Sequence, residues 1–153
     1  HSKNAEKAVC DILKKHKVKK TILHWYSGNL ETLKELIEYG YYFSINTSML
    51  QSIKGQKILK SIPQNRLLIE SDGPFTKVNN QKYNPSKLQE VYSQIGAFLE
   101  SPEINKLVWQ NFKDLITQGK NWYEPFRIAK TLFVLLKCAK GIAIDCYLCI
   151  EEA

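Results

Sequence analysis

The feature that most constrains this chain is an alternation: short, nearly unbroken apolar runs punctuate stretches whose apolar residues recur at helical spacing. Ala5, Ala8, Val9, Ile12 and Leu13 lie on one helical face, and residues 21–25 (TILHW) then read as a strand. Ser27, Gly28 and Asn29 supply a turn and an N-cap. Leu30, Leu33, Leu36 and Ile37 form a second amphipathic helix, stopped by Gly40. Residues 41–46 (YYFSIN) are a second strand, 56–61 a short helix ended by Pro63, and 66–71 (RLLIES) a third strand apolar enough to be buried on both faces. This order predicts an α/β fold in which parallel strands alternate with helices, as an open sheet or as part of a barrel. Beyond Pro74 a loop rich in Asn and Lys leads to Pro85. Two amphipathic helices follow over 86–99 and 103–117, the second opened by Ser101, Pro102 and Glu103.

The alternation also says where chemistry can sit. Ile22 and His24 share one strand face, Leu68, Glu70 and Asp72 share another, and His24 and Asp72 fall at the C-terminal ends of their strands. Parallel α/β sheets and barrels place their active sites at that rim. His1 precedes the first helix, where a further strand end would sit. Two imidazoles and a carboxylate suit a divalent ion, Mg, Mn or Zn, and leave positions open for water and substrate. Taken singly, each residue has a plainer reading. His24 would be a core histidine, and Asp72 before Gly73 and Pro74 a turn carboxylate.

The residues themselves resemble a family. His1, Ser2 and Lys3 followed by Ala5 and Glu6 look like the HSR-x-A-E segment of TatD-type metal-dependent hydrolases, and residues 23–28 (LHWYSG) look like their LHWFSG segment. Residues 40–46 (GYYFSIN) are similar to their G-x-YFSIN strand, and residues 62–75, which contain RLLIESDGPF, to their IP-x-x-RLL-x-ETDGPF strand. Asn111 and Phe112 resemble the late N-F of the last helix, so the likeness covers about residues 1–118 in order and spacing. The forms LHWYSG, YFSIN and ESDGPF most resemble the subgroup associated with Qat anti-phage systems.

The resemblance implies the C-terminal part of a TIM-type (β/α) barrel of the amidohydrolase kind, with one or two divalent ions and hydrolysis of phosphodiesters, usually in DNA. It makes His1, His24 and Asp72 metal ligands, and Asp72 also the catalytic base. Glu70 would support the ligands from behind, with structural packing an equal alternative. Trp25 and Tyr26 could stack on a base or simply pack the rim. The family's first-strand H-x-H pair and its metal-bridging Glu have no counterpart in this sequence. The chain also opens on His1 inside a motif, so it is read as an N-terminally truncated piece that is expected to be inactive by itself. Residues 119–153 match nothing in the family and are left as an unassigned extension. The rival reading is a non-catalytic barrel piece that binds nucleic acid or assembles with partners.

Charge fits either reading. Lys and Arg outnumber Asp and Glu by 22 − 15 = 7, as expected for a protein that meets a polyanion such as DNA. Part of that excess, Lys14, Lys15 and Lys17, follows the first helix and reads either as a nucleic-acid contact or as a solvated helix end. A hydrophobic content of 44% over 153 residues argues against a disordered chain and suits one core. No run approaches the roughly 20 apolar residues a spanning helix needs, so no membrane association is expected. Cys10 stands alone, and Cys138, Cys146 and Cys149 lack a second pair at zinc-ribbon spacing. With no signal peptide, the expected location is a reducing cytoplasm. In an anti-phage setting, proteins of the defence system would be partners.

Overall fold

The computed structural model describes residues 2–117, so His1 and the proposed extension 119–153, with Cys138, Cys146 and Cys149, lie outside the described residues. Helix α1 (Glu6–Lys15) leads to strand β1 (Ile22–His24), helix α2 (Leu30–Glu38) to β2 (Tyr42–Ile45), and α3 (Ile53–Ser61) to β3 (Leu67–Ile69). A small hairpin, β4 (Lys77–Val78) and β5 (Gln81–Lys82), precedes helices α4 (Leu88–Phe98) and α5 (Ile104–Thr117). Strands β1, β2 and β3 lie side by side in that order and are all parallel, with Leu23 beside Phe43 and Phe43 beside Leu67. The alternation therefore predicts the architecture correctly. Among the described residues the sheet has three strands and is not closed into a barrel.

Side-chain alternation divides the interior in two. Leu23, Phe43, Ile45 and Leu67 point into the larger cluster, where Leu33 and Leu36 of α2, Ile58 and Leu59 of α3 and Val91 and Ile95 of α4 meet them. Tyr42 and Leu68 point to the other face, against Ile104, Val108 and Leu115 of α5, with Ile22 packed alongside. His24 and Ser44 continue that second face by two residues from Ile22 and Tyr42, and Glu70 by two from Leu68. The second face thus changes from apolar to polar towards the C-terminal ends of the strands.

Local chemistry sets the element ends. The Asn29 side chain accepts the Thr32 amide at 2.7 Å and starts α2. Gly40, at φ 78°, turns the chain out of that helix into β2, a conformation that costs glycine nothing. Helix α3 begins at Ile53, earlier than the sequence-based start at residue 56, because the Ser52 side chain accepts the Gly55 amide at 3.0 Å. Where the sequence predicts a plain loop after Pro74, the structure has the hairpin. Asn79 and Asn80, at φ 50° and 63°, form a two-residue turn with both central residues in the left-handed region, which matches the twist of paired strands. The Asn content that reads as loop is the turn signal.

Candidate active site

Three strand ends converge on one buried carboxylate. Glu70 is 5% exposed. Its Oε1 accepts the Asn46 amide at 2.9 Å, while Oε2 accepts both the Ser44 hydroxyl and His24 Nδ1. Its backbone amide donates to the Ile45 carbonyl at 2.9 Å. The sequence reading leaves Glu70 between support and packing; the structure places it directly on His24. With Nδ1 carrying the proton donated to Glu70, the lone pair of the imidazole sits on Nε2, 3.5 Å from Asp72 Oδ1.

Ser44 and Asn46 were not picked out from sequence as site residues. The available signal was that two polar side chains at i and i+2 interrupt an otherwise apolar strand. The register pairs His24 with Ser44, so β2 supplies the donors that hold the carboxylate between β1 and β3. Among the described residues no buried side-chain nitrogen or oxygen lacks a partner, so the network is fully satisfied.

The backbone is bent where the candidate ligands emerge. Asp72 has φ 48°, and Trp25, the residue after His24, has φ 43°. An aspartate tolerates that region, but a bulky tryptophan held there costs on the order of 1–3 kcal/mol, which the Trp25 amide bond to the Ser44 carbonyl at 3.1 Å helps to offset. Trp25 packs partly buried against the larger cluster. Tyr26 is buried, its hydroxyl donates to the Asn29 carbonyl at 2.8 Å, and burial pushes its pKa up to about 12. Both aromatics are therefore built into the rim.

Electrostatics at the cluster favour a positive charge. Burial works against protonation of His24, but the hydrogen bond it donates to Glu70 and the charges of Glu70 and Asp72 outweigh it, and its pKa is raised. Burial raises that of Asp72 as well, opposed by His24 and reinforced by Glu70. A separation of 3.5 Å between Nε2 and Oδ1 is also what two ligands on one ion require, since bonds of about 2.0–2.2 Å at tetrahedral angles put ligand atoms roughly 3.3–3.6 Å apart. The donor set therefore fits a divalent cation. It is a pair and not a full shell: among the described residues no three His, Cys, Asp or Glu side chains make a complete metal group, and the third nominated ligand, His1, lies outside the described residues.

The basic run does not reach this cluster. Lys14 pairs with Glu35 of α2 and lies 5.1 Å over the Tyr39 ring. Lys15 and Lys17 are exposed on the segment that enters β1, at the N-terminal edge of the sheet. There the Tyr41 hydroxyl donates to the Val18 carbonyl at 2.9 Å and Lys20 Nζ to the Ile116 carbonyl at 3.2 Å. His24 and Asp72 occupy the opposite, C-terminal end.

Comparison with known proteins decides the family. The profile of the family described as TatD related DNase matches residues 1–117. The chain belongs to this family. It is 29% identical over 115 residues to human Deoxyribonuclease TATDN3, covering 72% of this chain and 42% of that protein. It is 29% identical over 124 residues to the Bacillus subtilis protein named Uncharacterized metal-dependent hydrolase YabD, covering 75% and 49%. Against Deoxyribonuclease Tat-D of Schizosaccharomyces pombe it is 31% identical over 81 residues, covering 51% and 26%. The chain spans at most about half the length of these curated relatives. Two solved structures share the fold: the TATD homolog YJJV from Escherichia coli (TM-score 0.60, 19% identity, 72% of this chain and 46% of that one) and a TatD family hydrolase from Entamoeba histolytica (0.58, 17%, 71% and 46%). Among the described residues no helix is long and apolar enough to cross a membrane.

Proposed function

We propose that this TatD family chain carries the C-terminal strand ends of a barrel-type, metal-dependent phosphodiesterase acting on DNA. The observation that carries the reading is the line Glu70–His24–Asp72. One carboxylate fixes the imidazole tautomer, and the other faces the second nitrogen at 3.5 Å. His24 Nε2 and Asp72 Oδ1 would hold a divalent ion, Mg, Mn or Zn, and Glu70, braced by Ser44 and Asn46, would keep the imidazole aimed. Such an ion lowers the pKa of water and neutralises charge on a phosphodiester. With Oδ1 on the ion, the second carboxylate oxygen of Asp72 would take the proton of the attacking water. Relatives named as deoxyribonucleases support DNA as substrate. The subgroup resemblance of LHWYSG and ESDGPF adds an anti-phage setting in a reducing cytoplasm, with defence proteins as partners.

The test is Asp72→Asn in the protein carrying its complete reading frame. Removing the base should lower metal-dependent cleavage of an end-labelled oligonucleotide by about 100-fold or more, with the melting temperature little changed because the amide is nearly isosteric. Cleavage near the wild-type rate would remove Asp72 from the chemistry. DNA binding with no cleavage in either protein would favour a binding module instead.

A further inference from the structure

The hairpin that follows Asp72 carries a charge arrangement that weakens it. Strands β4 and β5 place Lys77 directly opposite Lys82, and Val78 opposite Gln81. Val78 is buried, so alternation turns both lysines to the outer face, where both are exposed. The Tyr83 amide donates to the Thr76 carbonyl at 3.0 Å, which makes Lys77–Lys82 the pair without mutual hydrogen bonds, where opposed side chains stand closest. Like charges set directly opposite each other are destabilising. Among the described residues no carboxylate lies within ion-pair distance of either ammonium.

The lysines are nonetheless mounted firmly. Asn79 at the tip donates to Glu90 at 2.7 Å and accepts from Gln94 at 2.9 Å, which ties the turn to α4. The Thr47 hydroxyl donates to the Lys77 carbonyl at 3.2 Å. Thr47 lies just past the end of β2, so the hairpin rests on the C-terminal rim, the end that carries His24 and Asp72. At its base the Tyr83 ring lies so close to Gly73 that a Cβ there would meet it at 2.4 Å. Phe75, 81% exposed, lies between Asp72 and Lys77 in the chain. Five residues of chain keep Lys77 within about 18 Å of Asp72, about five nucleotides along a duplex strand at about 3.4 Å each.

We propose that Lys77 and Lys82 form a phosphate clamp for the nucleic-acid strand being cut at Asp72, with Phe75 offering its ring to a base between the clamp and the site. The bound strand supplies the negative charge that relieves the repulsion, and the anchored hairpin backbone keeps the two lysines side by side before it arrives. This rests on the phosphodiesterase reading and fixes where the uncut part of the strand is held.

The experiment is fluorescence anisotropy of a labelled single-stranded oligonucleotide with the 153-residue chain, in EDTA, at several salt concentrations. Lys82→Glu should weaken binding about tenfold or more and flatten the dependence of log affinity on log salt by about 0.7 or more. It should also raise the melting temperature by about 1–3 °C, because it replaces a repulsion with an attraction. Phe75→Ala should weaken binding about fivefold or more. Lys34→Glu, the same charge change on an exposed site of α2, should change the slope little. Wild-type affinity and slope in Lys82→Glu, an equal loss in Lys34→Glu, or no binding by the wild type would each overturn the clamp. Because no cleavage is read, a clamp that passes while the complete protein fails to hydrolyse DNA would refute the phosphodiesterase reading alone.

Discussion

The two ends of the three-stranded sheet are built by opposite rules. At the N-terminal end, exposed Lys15 and Lys17 lie on the approach to β1, Tyr41 bonds the Val18 carbonyl, and the Lys14–Glu35 pair joins α1 to α2. At the C-terminal end the polar groups are buried, shared and held on bent backbone: one Glu70 carboxylate serves three strand ends, and Trp25 and Asp72 sit in the left-handed region. At the first end Lys15 and Lys17 are solvated. The second concentrates strain and desolvated charge in a few residues, the pattern expected where chemistry occurs. A basic residue count does not distinguish the two, because lysines occur at both.

The contrast is most exposed to failure at Glu70. Glu70→Gln should lower the affinity for Mn or Zn about 10–100-fold and destabilise the fold by about 1–3 kcal/mol, since the amide nitrogen meets donors that need an acceptor. Titration calorimetry and denaturant unfolding read the two effects. Unchanged metal affinity would reduce Glu70 to a packing residue and remove the asymmetry between the ends. Next in size is Gly73→Ala: the added methyl would fall 2.4 Å from Tyr83, and overpacking of this kind costs about 1–3 kcal/mol. It should also reduce cleavage by displacing Asp72, which a comparison of turnover and melting temperature would show.

Smaller effects are expected at the other end. Lys15→Ala combined with Lys17→Ala should change oligonucleotide affinity by less than about twofold, against about tenfold for the hairpin. Equal losses would mean that DNA wraps both ends of the sheet and that the two ends do not differ in function. The smallest effect is on acid stability. The hydrogen bond from Lys14 lowers the pKa of Glu35, opposed by desolvation and reinforced by the charges of Lys14 and Lys7. A depressed carboxylate contributes stability that is present above its unfolded pKa and lost as pH falls through its folded one, so the loss belongs below about pH 4.5. Glu35→Gln should therefore narrow the stability difference between neutral and acid pH slightly, read from melting temperatures across that range.

Much of this was legible because the two periodicities, helical and alternating, are properties of the chain itself. The order of helices and parallel strands follows from them, as does the delivery of His24, Glu70 and Asp72 to one end of the sheet. Other features depend on residues far apart in sequence. Glu70 could have been a packing residue until Ser44 and Asn46, 26 and 24 positions away, were seen to donate to it from the neighbouring strand. Lys14 reads as a possible phosphate contact until Glu35, 21 positions on, is seen to occupy it. The hairpin was hidden because Asn79 and Asn80 signal a loop and a tight turn equally well, and only pairing with its partner strand shows that Lys77 faces Lys82. Local pattern therefore determined which residues reach the rim, since side-chain direction repeats along a strand. Tertiary structure decided what each of them touches, because a hydrogen bond across strands depends on register and twist, which no single segment encodes.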